Sequence, residues 1–122
     1  MARVRDFGQF RSHHGLDDTR NIVIAALSTQ LSRDQIELGS PGILDSIYFS
    51  ELSGYRVVLS AGNTTRELWN VVVELAATPG FITGHAFVDR KEYEAGGHVN
   101  DVLHQLTRML RAASIDMKRW KY

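Results

Sequence analysis

The sequence predicts an α+β domain in which an antiparallel sheet of about four strands carries two helices on one face. Apolar residues recur at helical spacing near both ends of the chain and alternate in the middle, and turns rich in glycine and proline separate these segments. The 122 residues fit a single domain over 1–122. We expect a flexible N-terminal arm at about 1–14 and a C-terminal tail at about 115–122.

The first helix is predicted to run from about Leu16 to Leu38. Asp17 and Asp18 stand where a helix start favours negative charge. Its apolar residues recur at helical spacing: Ile24, Leu27 and Leu31. Gly39-Ser40-Pro41-Gly42 cannot continue a regular helix, so we expect the helix to end there.

The middle of the chain is predicted to form the sheet. Two short runs alternate apolar and polar residues around a turn at Ser53-Gly54: Ile47 and Phe49, then Tyr55, Val57 and Leu59. The segment Leu68–Ala77 gives the clearest strand, with one apolar face: Trp69, Val71, Val73 and Leu75. A turn at Thr78-Pro79-Gly80 leads to a returning strand: Phe81, Thr83, His85 and Phe87.

The second helix is predicted after a loop of mixed charge from Asp89 to Gly97, which we expect to be a solvated arm. One helix face is apolar: Val99, Val102, Leu103, Leu106, Leu110 and Ala113. The tail Ile115–Tyr122 is expected to be a final strand or an extended contact segment.

Composition limits the function classes. Lys plus Arg equals Asp plus Glu, so the net charge is zero and no overall basic field attracts nucleic acid. The absence of cysteine removes disulfides and thiolate metal sites, and it suits a virion or the host cytoplasm. Met1 to Arg11 contain no apolar run, so we expect neither a secretory signal nor a membrane anchor.

One short motif is typical of nuclease chemistry. His13-His14-Gly15-Leu16-Asp17-Asp18-Thr19-Arg20-Asn21-Ile22 resembles the third motif of Eri-type DEDDh 3′ exonucleases. On that resemblance His13 is the general base and Asp18 binds a divalent metal that activates water. The family's opening Asp-x-Glu is missing, because Val4 to Phe10 offers only Asp6. We therefore favour a simple helix start and keep a 3′ exonuclease fragment or degenerate nuclease acting on RNA or DNA as an alternative.

The order of elements resembles the tail terminator and head-tail connector proteins of tailed bacteriophages. The resemblance rests on the helix Asp17 to Ile36, on the segments Gly54–Ser60 and Thr65–Glu74, and on the helix Val99 to Ala113. It implies a non-enzymatic structural protein that forms an oligomeric ring at a phage head-tail junction. Its partners would be copies of itself and other assembly proteins.

The ends of the chain and the charged loop combine aromatic and basic residues. Such residues are enriched at protein interfaces, although they also stack on bases. Because the net charge is zero, we favour protein contacts over nucleic acid. The predicted contact residues are Arg5, Phe7, Phe10, Arg90, Lys91, Tyr93, Arg119 and Trp120. A small immunity or inhibitor protein that binds one partner is a further alternative.

Other polar residues do not form a recognisable site. Three histidines and two aspartates invite a metal hypothesis, but their spacing does not fit a compact site: His85, His98, His104, Asp89 and Asp101. Ser46, Ser60 and Ser114 lack the context of a nucleophile elbow. We therefore predict no metal and no cofactor.

Overall fold

The computed structural model describes residues 4–37, 46–62, 67–89, 96–118 and 120. The elements follow in the order β1 (Val4–Ser12), α1 (Leu16–Glu37), β2 (Ser46–Leu52), β3 (Arg56–Gly62), β4 (Glu67–Thr78), β5 (Phe81–Asp89), α2 (Gly96–Ala112) and β6 (Asp116–Lys118). The described strands form one six-stranded antiparallel sheet in the order β2-β3-β4-β5-β1-β6. The predicted α+β class is confirmed, with six strands instead of about four.

Residues predicted to be a flexible N-terminal arm form β1, which lies between β5 and β6. A bulge explains why the sequence pattern was misleading: the register with β5 shifts between Asp6 and Gly8. Gly8 has a φ of 138°, a backbone conformation that favours glycine, and its N–H donates to Asp6 Oδ1 at 2.9 Å. The extra residue places both Phe7 and Phe10 in the core despite their three-residue spacing.

The C-terminal tail also joins the sheet. Residues 116–118 form β6, which pairs with β1 from Gln9 to Arg11. This confirms the alternative of a final strand for that part of the tail. The predicted helix-ending loop 39–42 and most of the charged loop, 90–95, lie outside the described residues.

Both helices pack on one face of the sheet, where they meet each other and β4. The predicted core face of α2 is confirmed, since its residues are fully buried: Val99, Val102, Leu103, Leu106 and Leu110. On α1 the predicted Leu27 is buried and the predicted Ile24 is partly buried; the other buried residues described are Thr19, Val23 and Ala26. The Leu31 side chain lies outside the description.

The sheet strands alternate between this covered face and the opposite one, here called the open face. On β4 the four predicted core residues are buried as expected. On β5 the core residues are Ile82, Gly84, Ala86 and Val88. The four residues that predicted this strand therefore lie on the open face: Phe81, Thr83, His85 and Phe87. Among the described residues, no helix is long and apolar enough to cross a membrane.

Candidate functional sites

The nuclease-like motif forms a tightly bonded helix start. The Ser12 and Thr19 hydroxyl oxygens lie 2.8 Å apart in the core, and the His14 N–H donates to the Ser12 hydroxyl at 3.2 Å. The His14 ring reaches the turn that follows α2, where Nε2 donates to the Ala113 carbonyl at 2.9 Å. These contacts tie the beginning of α1 to the end of α2, which is a structural role.

The two residues proposed to act in catalysis are both exposed. His13 lies with its ring edge towards Phe81, with ring centroids 6.4 Å apart. Asp18 lies in the first turn of α1 beside Asp17, whose Oδ1 is 3.8 Å from Arg20 Nη2. Within the described part of the chain, no three side chains of the metal-binding type come together. The structure thus gives His13 and Asp18 no described metal-binding companions.

The other candidate polar residues are also dispersed. His85 and Asp89 are on β5, whereas Asp101 and His104 are on α2, and the His98 side chain lies outside the description. Ser60 is buried and its hydroxyl lies 2.8 Å from that of Ser50. Ser114 occupies the turn after α2 with a φ of 58°, and the Ser46 side chain is not described.

Three of the predicted contact residues serve the fold instead. Phe7 and Phe10, predicted to bind a partner, are each only 2% exposed and lie in the core, so they present almost no surface to a partner. Trp120 packs against the core, meets the Phe10 ring edge-on at 6.4 Å and donates from Nε1 to the Thr107 hydroxyl at 2.8 Å. The remaining predictions fall on residues or side chains outside the description: Arg5, Arg90, Lys91, Tyr93 and Arg119.

One edge of the sheet carries exposed apolar side chains. We call it the β2 edge and define it by β2 and the turn that follows. Tyr48 is 43% exposed, Leu52 52% and Tyr55 55%. Tyr48 is paired with Ser60 on the open face, and Leu52 with Val57 on the covered face. The sequence predicted these strands, but it held no signal that β2 would lie at an edge.

The single acid of β2, Glu51, forms an ion pair with Arg56 of β3, which also pairs with Glu74 of β4. Glu51 Oε2 lies 2.9 Å from Arg56 Nε, and Arg56 Nη1 donates to Glu74 Oε2 at 3.2 Å. All three side chains are a little under half exposed, so water and salt screen these pairs. The β2 edge therefore presents little net charge.

The open face also has a groove of about 500 Å³ that crosses β6, β1, β5 and β4. Two neighbouring cross-strand rows supply its open-face side chains: Lys118, Gln9, His85 and Glu74 in one, Arg11, Thr83 and Ala76 in the other. Short side chains at Thr83 and Ala76 leave space between longer ones. Because its residues come from four strands, only the sheet register brings them together.

The groove contains one histidine with a fixed orientation. His85 Nε2 donates to Asp6 Oδ1 at 2.9 Å, and the same oxygen accepts the Gly8 N–H. The ring also lies against Phe87, with ring centroids 5.2 Å apart. This arrangement leaves His85 Nδ1 without a hydrogen-bond partner among the described residues.

Comparisons with known protein families, with curated proteins and with solved structures give no match to this chain.

Proposed function

We propose that this chain is a non-enzymatic assembly protein that associates with copies of itself through the β2 edge. The observation that carries the proposal is the concentration of exposed apolar side chains on this edge of the sheet. The resemblance to tail terminator and head-tail connector proteins points the same way, because members of that family form rings. On that resemblance the assembly belongs to a phage head-tail junction, in the virion or the host cytoplasm.

The backbone of β2 supports this proposal. Among the described strands β2 is an end strand paired with β3, and an end strand can add a further strand through its backbone N–H and C=O groups. Proteins usually protect such an edge with lysine, proline, a bulge or a very short strand. The seven residues of β2 include neither lysine nor proline. A register shift between Phe49 and Glu51 and the charge of Glu51 itself are its protective features.

The side chains of the β2 edge add apolar contact on both faces. A strand placed beside β2 meets Tyr48 on the open face and Leu52 on the covered face. Burying the exposed half of such a side chain contributes about 1 kcal/mol at roughly 25 cal/mol per Å². Each contribution is small, but when two copies pair through the same edge, each side chain contributes twice.

A second copy of the chain is the partner that fits best. Two β2 strands have equal length and can pair antiparallel about a two-fold axis, which joins two copies into a dimer. On the resemblance to ring-forming proteins, further contacts between such dimers would complete the ring. The contact brings no repulsion from unpaired charge, because Glu51 is already bonded to Arg56. A net charge of zero also favours association between copies.

Size-exclusion chromatography with light scattering tests this proposal. The wild-type chain is expected to elute at twice its 13.7 kDa mass or at a higher multiple. Leu52→Lys should weaken association by at least about tenfold, because it removes apolar contact and places a charge on the edge. Asp116→Lys is the matched control, since it places a lysine on the opposite edge and should leave the mass unchanged.

A particle of 13.7 kDa at every concentration would overturn the proposal. Loss of association in both variants would also overturn it, because the β2 edge would then have no special role. Circular dichroism and thermal melting confirm that each variant remains folded.

A further inference from the structure

The groove on the open face has features of a ligand site. It lies outside the surface proposed for self-association. Its volume of about 500 Å³ lies within the range of small-molecule pockets. Its walls belong to β6, β1, β5 and β4, so the β2 edge lies outside it. A ligand here and a second copy at β2 could bind at the same time.

The basic side chains that the structure describes on the open face divide into two groups. Arg56 and His85 are held by carboxylates, as described above. Arg11 and Lys118 make no ion pair with any described residue. Arg11 instead lies over the Phe81 ring, with its guanidinium carbon 4.3 Å from the ring centroid. Both unpaired cations line the groove, at its β1 and β6 end.

The position of Arg11 suits anion binding. Contact with the Phe81 ring positions the guanidinium, and its N–H groups form no ion pair with a described residue. Asp116 faces Arg11 in the strand register without an ion pair between them. An arginine fixed by an aromatic ring loses less side-chain freedom when it binds an anion.

The groove also offers neutral hydrogen-bonding groups. The Gln9 amide and the Thr83 hydroxyl can donate to an oxygen, whereas His85 Nδ1 is an acceptor when Nε2 donates to Asp6. Thr83 is held only by a long contact of 3.4 Å to the Ala76 carbonyl. Glu74, the one acid in the lining, is bonded to Arg56 on the side of β3. Its charge is therefore compensated away from the two free cations.

We infer that this groove binds a small ligand with two negative charges on oxygen atoms, held by Arg11 and Lys118. A phosphate monoester and a short dicarboxylate share that chemistry, and both match two cations. A compact phosphate group would bind between the two cations, whereas a dicarboxylate would extend from them towards Thr83.

Nuclear magnetic resonance titrations of the full chain test this inference. Glycerol 3-phosphate and succinate are the two probes, and sodium chloride at matched ionic strength is the reference. At least one probe should give saturable shifts at the groove residues: Gln9, Arg11, Thr83, His85 and Lys118. The stronger probe identifies the preferred anion.

Variants separate a site from general attraction to positive charge. Arg11→Gln with Lys118→Gln should weaken binding by at least about tenfold. Lys118→Gln alone, at an exposed position, provides the test if the double variant does not fold. Arg108→Gln with Arg111→Gln removes the same charge from exposed positions of α2 and should leave binding unchanged.

Three outcomes would overturn the inference. They are shifts equal to those in sodium chloride, shifts spread over all basic surfaces, and equal weakening by the α2 control. None of these outcomes depends on the mass of the protein in solution. The test of the groove is therefore independent of the test of self-association through the β2 edge.

Discussion

The two edges of the sheet differ in length, charge and exposed apolar surface. β2 has seven residues and β6 has three. Two of the three β6 residues, Asp116 and Lys118, are exposed charges, whereas the exposed side chains around β2 include Tyr48 and Leu52. A short charged edge resists the addition of another strand, and a longer apolar one invites it. Among the described residues, only the β2 end of the sheet therefore combines a longer strand with exposed apolar side chains.

The largest expected effect is on the free energy of unfolding, which should depend on a buried leucine of β3 much more than on an exposed leucine of the β2 edge. Leu59 in β3 is fully buried and Leu52 is 52% exposed. Leu59→Ala should lower the free energy of unfolding by about 2–5 kcal/mol through the cavity it leaves. Leu52→Ala should lower it by less than about 1 kcal/mol. Urea denaturation measures both, and equal losses would mean that Leu52 serves the fold and not association.

The next effect concerns the close packing between β1 and β5, the two strands next to β6 in the sheet. A Cβ atom at Gly84 would overlap the Phe10 ring, which lies between β5 and Trp120. Gly84→Ala should therefore cost roughly 1–3 kcal/mol through overpacking, measured by thermal melting. Gly54→Ala is the control, because a Cβ atom there meets nothing within 4 Å. If both variants melt like the wild type, the close approach of Phe10 to β5 is not needed for stability.

A smaller effect tests how much the hydrogen bond between Trp120 and Thr107 stabilises the C-terminal end of the chain. Trp120→Phe removes the hydrogen bond to Thr107 but keeps an aromatic ring. The free energy of unfolding should fall by about 0.5–1.5 kcal/mol. Tyr55→Phe removes a hydroxyl from an aromatic residue that is 55% exposed, and it should have no measurable effect. A larger loss in the Tyr55 variant would reverse the roles assigned to these two aromatic residues.

The smallest effect concerns the one charge on β2. Glu51→Gln weakens the pair with Arg56, which should cost about 0.2–1 kcal/mol and less at high salt. Association should persist or become slightly tighter, because the edge loses its only acid. Asp17→Asn, in an exposed pair at the start of α1, is the control for charge removal. Weaker association of the Glu51 variant alone would show that this acid takes part in the contact.

Local periodicity was enough to predict α2, β4 and most of α1, because their core residues follow one regular spacing. It failed for β1, since the bulge at Phe7 and Gly8 breaks the two-residue alternation. It predicted β5 as a strand but did not indicate its core face, where Gly84 lies while large residues such as Phe87 lie on the open face. Small residues on the covered face make room for Phe10, and no local pattern reveals that.

The candidate sites were less predictable than the fold. The β2 edge depends on the order of strands in the sheet, which alternation along β2 cannot specify. The groove depends on the register of four strands, which brings Gln9, His85 and Lys118 together from distant parts of the sequence. The aromatic residues expected at an interface, Phe7 and Phe10, were instead needed for the core.

Hydrogen exchange at dilute and concentrated protein tests the central claim most directly. Self-association through β2 predicts that amides of residues 46–52 exchange more slowly as concentration rises, while those of residues 116–118 do not change. Exchange in β2 that is independent of concentration, or slowing confined to β6, would contradict the account.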